Sequence, residues 1–356
     1  MDKISKIEYN VIEYREEMFN SVLKFNIKGN NINYIIINTI RRIILTNIPI
    51  YSFTNFNFTC NESVFNNNYL KLRFNNLPVV GIPNNIDIYK KETVSEINID
   101  NMNEVPIEDD IDTETNTNIN SSSLDNLTMY VDYKSKENTI ENVTTNHAKF
   151  YYGGKNIDSP YKNPILLVKL QPNQHITFSA ITSLGIEKEN GIFSAVCVCY
   201  YNEINDNEYD FIIESRGQIS EFRIIEVAII NILNKIEIIY NLIPNNNNIE
   251  GEIVLLNEDN TFGNLITHAL QNHKNVKFAG YNIPHLLEER VIIHYELHNK
   301  QDIKDILNDC FDYLKKIYNQ ILDLNNSNIS TKKSSNKKKE STKETKKSSK
   351  KIKKKD

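Results

Sequence analysis

Two stretches of this chain carry the same apolar rhythm, and that rhythm limits the folds open to it. Phe222, Ile225, Ile229, Ile232, Ile236, Ile239 and Ile243 step by 3, 4, 3, 4, 3 and 4 residues. Ile303, Leu307, Cys310, Leu314, Ile317, Ile321 and Leu324 step by 4, 3, 4, 3, 4 and 3. A mean spacing near 3.5 residues lines one side of a helix with apolar groups. Each seam has to be covered, by the other helix or by a sheet. Two seams of matching period and length in one chain predict that the helices pack as a pair.

A third helix is predicted from Asn33, through N-Y-I-I-I-N-T-I-R-R-I-I-L-T-N-I, to just before Pro49. The residue before a proline is pushed out of the helical region, which sets that end. Ile36, Ile40, Ile43, Ile44 and Ile48 form its apolar face. Arg41 and Arg42 interrupt it, and guanidinium groups on so apolar a helix need water or a carboxylate partner. One reading is a core helix with two solvated arginines near its carboxyl end, where cations are favoured. The other is an assembly helix that holds two proteins at once.

The remaining elements follow from alternation and turn residues. Strands are expected within Lys6–Ile27, Ile50–Phe58, Thr128–Tyr133, Lys149–Tyr152 and Ile192–Tyr201, with a long apolar run at Pro164–Leu170. After the first seam come a strand at Glu250–Leu256, a turn and short helix at Glu258–Leu270, and strands at Val276–Tyr281 and Arg290–Leu297. Asp259 or Asn260 is placed to cap the short helix. Strand, helix, strands, long helix is also the order of the first part once residues 86–162 are set aside. The sequence therefore reads as a divergent internal repeat with one copy split by an insertion. The expected division is 1–85 with 163–248, an inserted β-rich subdomain at 86–162, a second unit at 249–324, and a disordered tail at 325–356. Inside the insertion, residues 92–132 hold eleven acids and no Lys or Arg. Residues 109–123 within it are too polar to support a core and are expected to be mobile.

Charge narrows the function. The formal net charge is −5, but residues 325–356 hold thirteen Lys against Glu340, Glu344 and Asp356, so the tail is +10 and the remainder −15. An acidic body does not suit a phosphate-gripping surface, and nucleic acid would meet only the tail, weakly and without specificity. Cys60, Cys197, Cys199 and Cys310 are too scattered for a disulfide framework, which points to a reducing compartment. Cys197 and Cys199 are two apart in a strand and are expected to lie buried on one face as free thiols. His294 and His298 lack a third ligand, so no metal is expected. No Gly-rich phosphate loop or nucleophile motif is present, and no catalytic residue is assigned. A signal peptide and a run of roughly 18 apolar residues are both missing, so neither secretion nor a membrane partner is expected.

Several segments together resemble the alpha-type assembly subunits of multi-subunit DNA-directed RNA polymerases, with the third- and eleventh-subunit types fused in one polypeptide. In the first part, Asn38 to Pro49 (N-T-I-R-R-I-I-L-T-N-I-P) resembles the family's arginine-pair helix. Leu70 to Pro78 is similar to its strand exit, and Val168 to Gln174 to its K-L-x-P-G-Q turn, with Asn173 in place of the glycine. In the second part, Glu258 to Leu265 resembles E-D-x-T-L-G-N-L and carries Asp259, Thr261, Gly263 and Asn264. Phe278 to His285 resembles F-A-G-Y-x-x-P-H and carries Gly280, Tyr281, Pro284 and His285.

The resemblance implies an α+β fold of two alpha-like dimerisation units paired within one chain. It implies a non-catalytic scaffold, without cofactor, on which the largest and second-largest polymerase subunits assemble, with small polymerase subunits as further partners. Arg41 and Arg42 would then touch the second-largest subunit. Many relatives hold a metal through cysteines in the inserted subdomain, but none lies between Cys60 and Cys197 here. The fused arrangement is similar to that of large DNA viruses, which implies the host cytoplasm, in viral factories, and the virion as locations. The alternative is a nucleic-acid-binding protein acting through its basic tail.

Overall fold

A computed structural model describes residues 5–15, 21–80, 86–89, 126–285 and 289–352, with side chains as far as Ile329. The acidic stretch expected to be mobile, 109–123, lies outside the described residues. In chain order the elements are β1 (Glu8–Arg15), β2 (Val22–Lys28), α1 (Tyr34–Thr46), β3 (Ile50–Asn61), α2 (Asn67–Asn75), β4 (Leu127–Lys134), β5 (Glu141–Thr144), β6 (Ala148–Tyr152) and β7 (Lys155–Ile157). There follow β8 (Leu166–Leu170), β9 (His175–Gly185), β10 (Val196–Asn205), β11 (Glu208–Ser215) and α3 (Glu221–Leu242). The chain ends with β12 (Glu250–Leu256), α4 (Asn260–Gln271), β13 (Val276–Asn282), β14 (Arg290–Leu297) and α5 (Ile303–Ile352).

The chain divides into two compact units. One comprises residues 1–50, 84–88 and 185–356, the other 51–83 and 89–184. The second is thus wider than the expected insertion, because β3 belongs to a sheet with β9 and β4. That sheet has the order β3-β9-β4-β6-β7, beside a β5-β8 pair. Its core includes Phe74, Phe150 and Phe178, with Phe74 and Phe178 stacked 4.8 Å apart. Leu70 to Asn75, expected at a strand exit, is helical in α2, with Asn66 accepting from the Tyr69 N–H as its cap. Asn173 stands at φ 65°, a left-handed conformation that Asn tolerates better than other side chains, so it serves where the family motif has glycine.

The first unit contains two sheets. Antiparallel β1-β2-β11-β10 carries α1 and α3, and antiparallel β12-β14-β13 carries α4, against which α5 packs. We call these the first and second halves. Their buried residues form one continuous core that includes Phe25, Ile40, Ile229, Ile293 and Leu314.

Two expectations require correction. Cys197 is exposed while Cys199 is buried, so they do not share a face. The register of β10 against β11 slips between Val196 and Val198, and the bulge inverts the alternation at Cys197. The last helix also runs past Leu324, the expected end of the second unit. α5 continues through the Lys-rich stretch to Ile352, where neither Gly nor Pro interrupts it, and Asn325 is fully buried.

Candidate assembly interface

The site is built on α1. Asn33 caps it, its Oδ1 accepting from the Ile36 N–H at 3.0 Å. Ile35, Ile36, Ile37, Ile40, Ile43 and Ile44 are buried. Thr39 is buried as well, its hydroxyl donating to the Ile35 carbonyl at 2.8 Å. At the other end the Asn47 N–H donates to the Ile43 carbonyl at 2.9 Å, and Pro49 follows.

The two arginines diverge. Arg41 donates from Nε to Asn38 Oδ1 at 3.0 Å and forms no ion pair among the described residues. Its charge acts on β10. Burial pushes the Cys199 thiol up to about 12, and Arg41 draws it partly back. Burial likewise raises Tyr201 against the same charge. Arg42 points into the second half. Its Nε donates to Thr261 Oγ1 at 2.6 Å and its terminal nitrogen to Asp259 Oδ2 at 2.8 Å.

Asp259 has two tasks. Its Oδ1 accepts from the Thr261 N–H at 2.7 Å and caps α4, while Oδ2 receives Arg42. Burial would raise this carboxyl, but the bonds from Thr261 and the guanidinium of Arg42 outweigh it and hold the group below the usual range. Beside it, Glu258 is buried and receives Lys235 of α3 at 2.6 Å. Burial dominates there and raises the carboxyl despite the lysine. Lys188 pairs with Glu289 at 3.0 Å, and its N–H donates to the Thr46 carbonyl at the end of α1.

The other motif residues shape α4 and its sheet. A Cβ on Gly263 would stand 2.8 Å from Val291 Cγ1 and 3.0 Å from Tyr281 Cδ2. Only a glycine lets α4 lie this close to β13 and β14. Asn264 is half-buried in α4. Gly280 lies on β13 under the Phe278 ring, and the half-buried Tyr281 stands opposite Ile293. Pro284 and His285 are exposed beyond the strand.

The seam residues Phe222, Ile225, Ile229, Ile232, Ile236 and Ile239 of α3, and Ile303, Leu307, Leu314, Ile317 and Ile321 of α5, are all buried in the shared core. Helices α3 and α5 pack against each other, as do α1 and α4. Tyr240 meets the Phe311 ring edge-on at 6.1 Å. The reading from sequence missed Asn325, Lys188, Lys235 and Glu289. Long-range polar pairs leave no periodic trace, and Asn325 is one of many Asn in the chain. Among the described residues no group of His, Cys, Asp and Glu is placed to hold a metal ion, and no helix is long and apolar enough to cross a membrane.

Residues 250–324, which hold β12 to α5, match the RNA polymerase Rpb3/Rpb11 dimerisation domain. A protein of Acanthamoeba polyphaga mimivirus, named as a DNA-directed RNA polymerase subunit, is 27% identical over 336 residues, covering 89% of this chain and 93% of the relative. The RPAC2 subunits of RNA polymerases I and III from Caenorhabditis elegans and Caenorhabditis briggsae are each 30% identical over 69 residues, 19% of this chain and 48% of theirs. The viral match runs nearly end to end and the dimerisation domain falls on one half of the core, so the chain is similar along its length to a DNA-directed RNA polymerase subunit of a large DNA virus and carries an Rpb3/Rpb11 dimerisation domain.

Proposed function

We propose that this chain is the assembly scaffold of its polymerase, its two halves pairing to form the platform on which the largest and second-largest subunits come together. The observation that carries the reading is the meeting of the two family motifs. The arginine pair of α1 and the E-D-N-T-F-G-N-L turn of α4 lie against each other, joined through Arg42, Asp259 and Thr261. Residues 1–85 with 163–248 form the third-subunit-like half on this reading, and residues 249–324 the eleventh-subunit-like one.

Arg41 is the contact to the second-largest subunit. It sits on the same helix as Arg42, is half-buried, and is not consumed by a carboxylate among the described residues. A guanidinium fork suits a partner carboxylate or carbonyl. Small polymerase subunits add to this platform. The Lys-rich stretch meets nucleic acid only weakly. Assembly takes place in the host cytoplasm, at viral factories, and the enzyme is carried in the virion.

The test is affinity recovery of the tagged full chain from infected cells, wild type against Arg41→Ala. The wild type brings down both large subunits. Removing a charge from a desolvated contact costs about 2–5 kcal/mol, so the variant loses the second-largest subunit by roughly 30-fold or more. Normal recovery with Arg41→Ala removes the assigned contact, and a wild type that brings down neither large subunit removes the scaffold reading.

A further inference from the structure

The two halves repeat one plan, yet their edge strands are unequally guarded. β2, α1, β10, β11 and α3 of the first half correspond in order to β12, α4, β13, β14 and α5 of the second. In each half the short helix packs on a strand at the edge of its sheet, α1 on β10 and α4 on β13. An edge strand turns the N–H and C=O groups of alternate residues away from its sheet, and folds guard such a row with lysines, bulges or a covering group. On β13, Gln271 of α4 donates to the Ala279 carbonyl at 2.8 Å, and Lys277 stands on the strand. β10 holds neither Lys nor Arg. Its register slips between Val196 and Val198 and again between Glu203 and Asn205, so residues 198–203 between the slips run regularly against β11. Among the described residues no hydrogen bond reaches the outer row of this run.

We propose that the outer edge of β10, beside Arg41, is a strand-docking site, where an extended segment of the second-largest subunit pairs with residues 198–203 and sets an acidic side chain on Arg41. The edge asks for backbone donors and acceptors, and an extended chain supplies them, whereas a helix spends its own internally. Arg41 asks for an acceptor beyond Asn38, and it stands over the same strand. Burial is the first influence on the Tyr201 hydroxyl, and Arg41 and Tyr34, both of α1, act on it as well. Helix and edge thus form one groove, with Tyr34 exposed on its rim. Tyr200 and Ile204, 46% and 50% exposed, offer apolar surface to the side chains of an added strand. The proposal rests on the Arg41 contact proposed above and adds how that partner is held.

The experiment compares the full chain alone with the full chain in the polymerase recovered from infected cells. Amide hydrogen exchange over residues 198–203 is expected to slow by about tenfold or more in the assembled enzyme. In a second measurement p-benzoylphenylalanine replaces Tyr200, which is exposed and makes none of the bonds of Arg41. On irradiation it cross-links to the second-largest subunit. Unchanged exchange in an enzyme that holds both large subunits overturns strand docking and leaves the scaffold reading standing. A cross-link to a different polymerase subunit, or to a second copy of this chain, overturns the assigned occupant. If exchange slows but Arg41→Ala still recovers the second-largest subunit normally, the strand docks and the acidic contact on Arg41 falls. A chain that brings down neither large subunit overturns this proposal together with the scaffold reading.

Discussion

Asn325 of α5 donates from Nδ2 to the carbonyl of Phe222, the second residue of α3, at 3.0 Å. Its Oδ1 accepts from the Tyr9 hydroxyl of β1 at 3.4 Å, and the amide is fully buried. One side chain beyond the end of the apolar seam therefore ties the long helix of the second half to a helix and a strand of the first. Asn325→Leu leaves Tyr9 without this acceptor in a buried site, at a cost of about 1–3 kcal/mol. Urea unfolding of the two proteins measures it. A difference under about 0.5 kcal/mol would mean that the amide is a passenger.

The seam itself is tested by Ile232→Asp and Leu314→Asp. Both positions are buried, and each substitution places an unpaired carboxylate in the shared core. A loss of several kcal/mol is expected, enough to unfold a domain of ordinary stability. Unchanged thermal melting in both would show that the helices do not need each other.

Gly263→Ala tests the closeness of α4 to its sheet. The added methyl meets Val291 Cγ1 at 2.8 Å, so either the helix or the strand must shift. Overpacking of this kind costs about 1–3 kcal/mol, although alanine is the better helix former. A variant as stable as the wild type would show that the sheet yields freely.

Asp259 and Glu258, adjacent in sequence, give opposite pH dependences. Asp259 has a folded pKa below its unfolded one. Its contribution is present above the unfolded value and fades as pH falls through the folded one. Glu258 has a raised folded pKa, so stability declines as pH rises from the unfolded value through the folded value. Asp259→Asn should therefore flatten the acid limb of the stability profile, and Glu258→Gln the slope just above the ordinary carboxylate range. Denaturant unfolding across pH reads both, and profiles identical to the wild type would contradict the assignments.

Much of the architecture was written locally. The end of α1 follows from Pro49, and the start of α4 from a cap at Asp259 or Asn260, of which the structure uses Asp259. Apolar steps located the buried positions of α3 and α5. The rest depends on partners that sequence does not name. The exposure of Cys197 comes from a bulge that exists only against β11. Leu70 to Asn75 became helical although its alternation reads equally well as a strand. Arg42 looked equivalent to Arg41 until the turn at Asp259, over two hundred residues later, was folded against one of them.

The link between the halves has a further consequence. Only Ile243 to Ile249 separate α3 from β12. Asn246 within the link accepts from the Ile303 N–H at 3.0 Å and donates its own N–H to Asp302 Oδ1 at 3.1 Å, fastening it to the start of α5. Two separate chains have to find each other, and their union weakens on dilution. A tether this short makes the encounter a first-order event with a local concentration on the order of millimolar. The ratio of the two halves is then fixed at synthesis, and their docking proceeds at the same rate however few copies have been made.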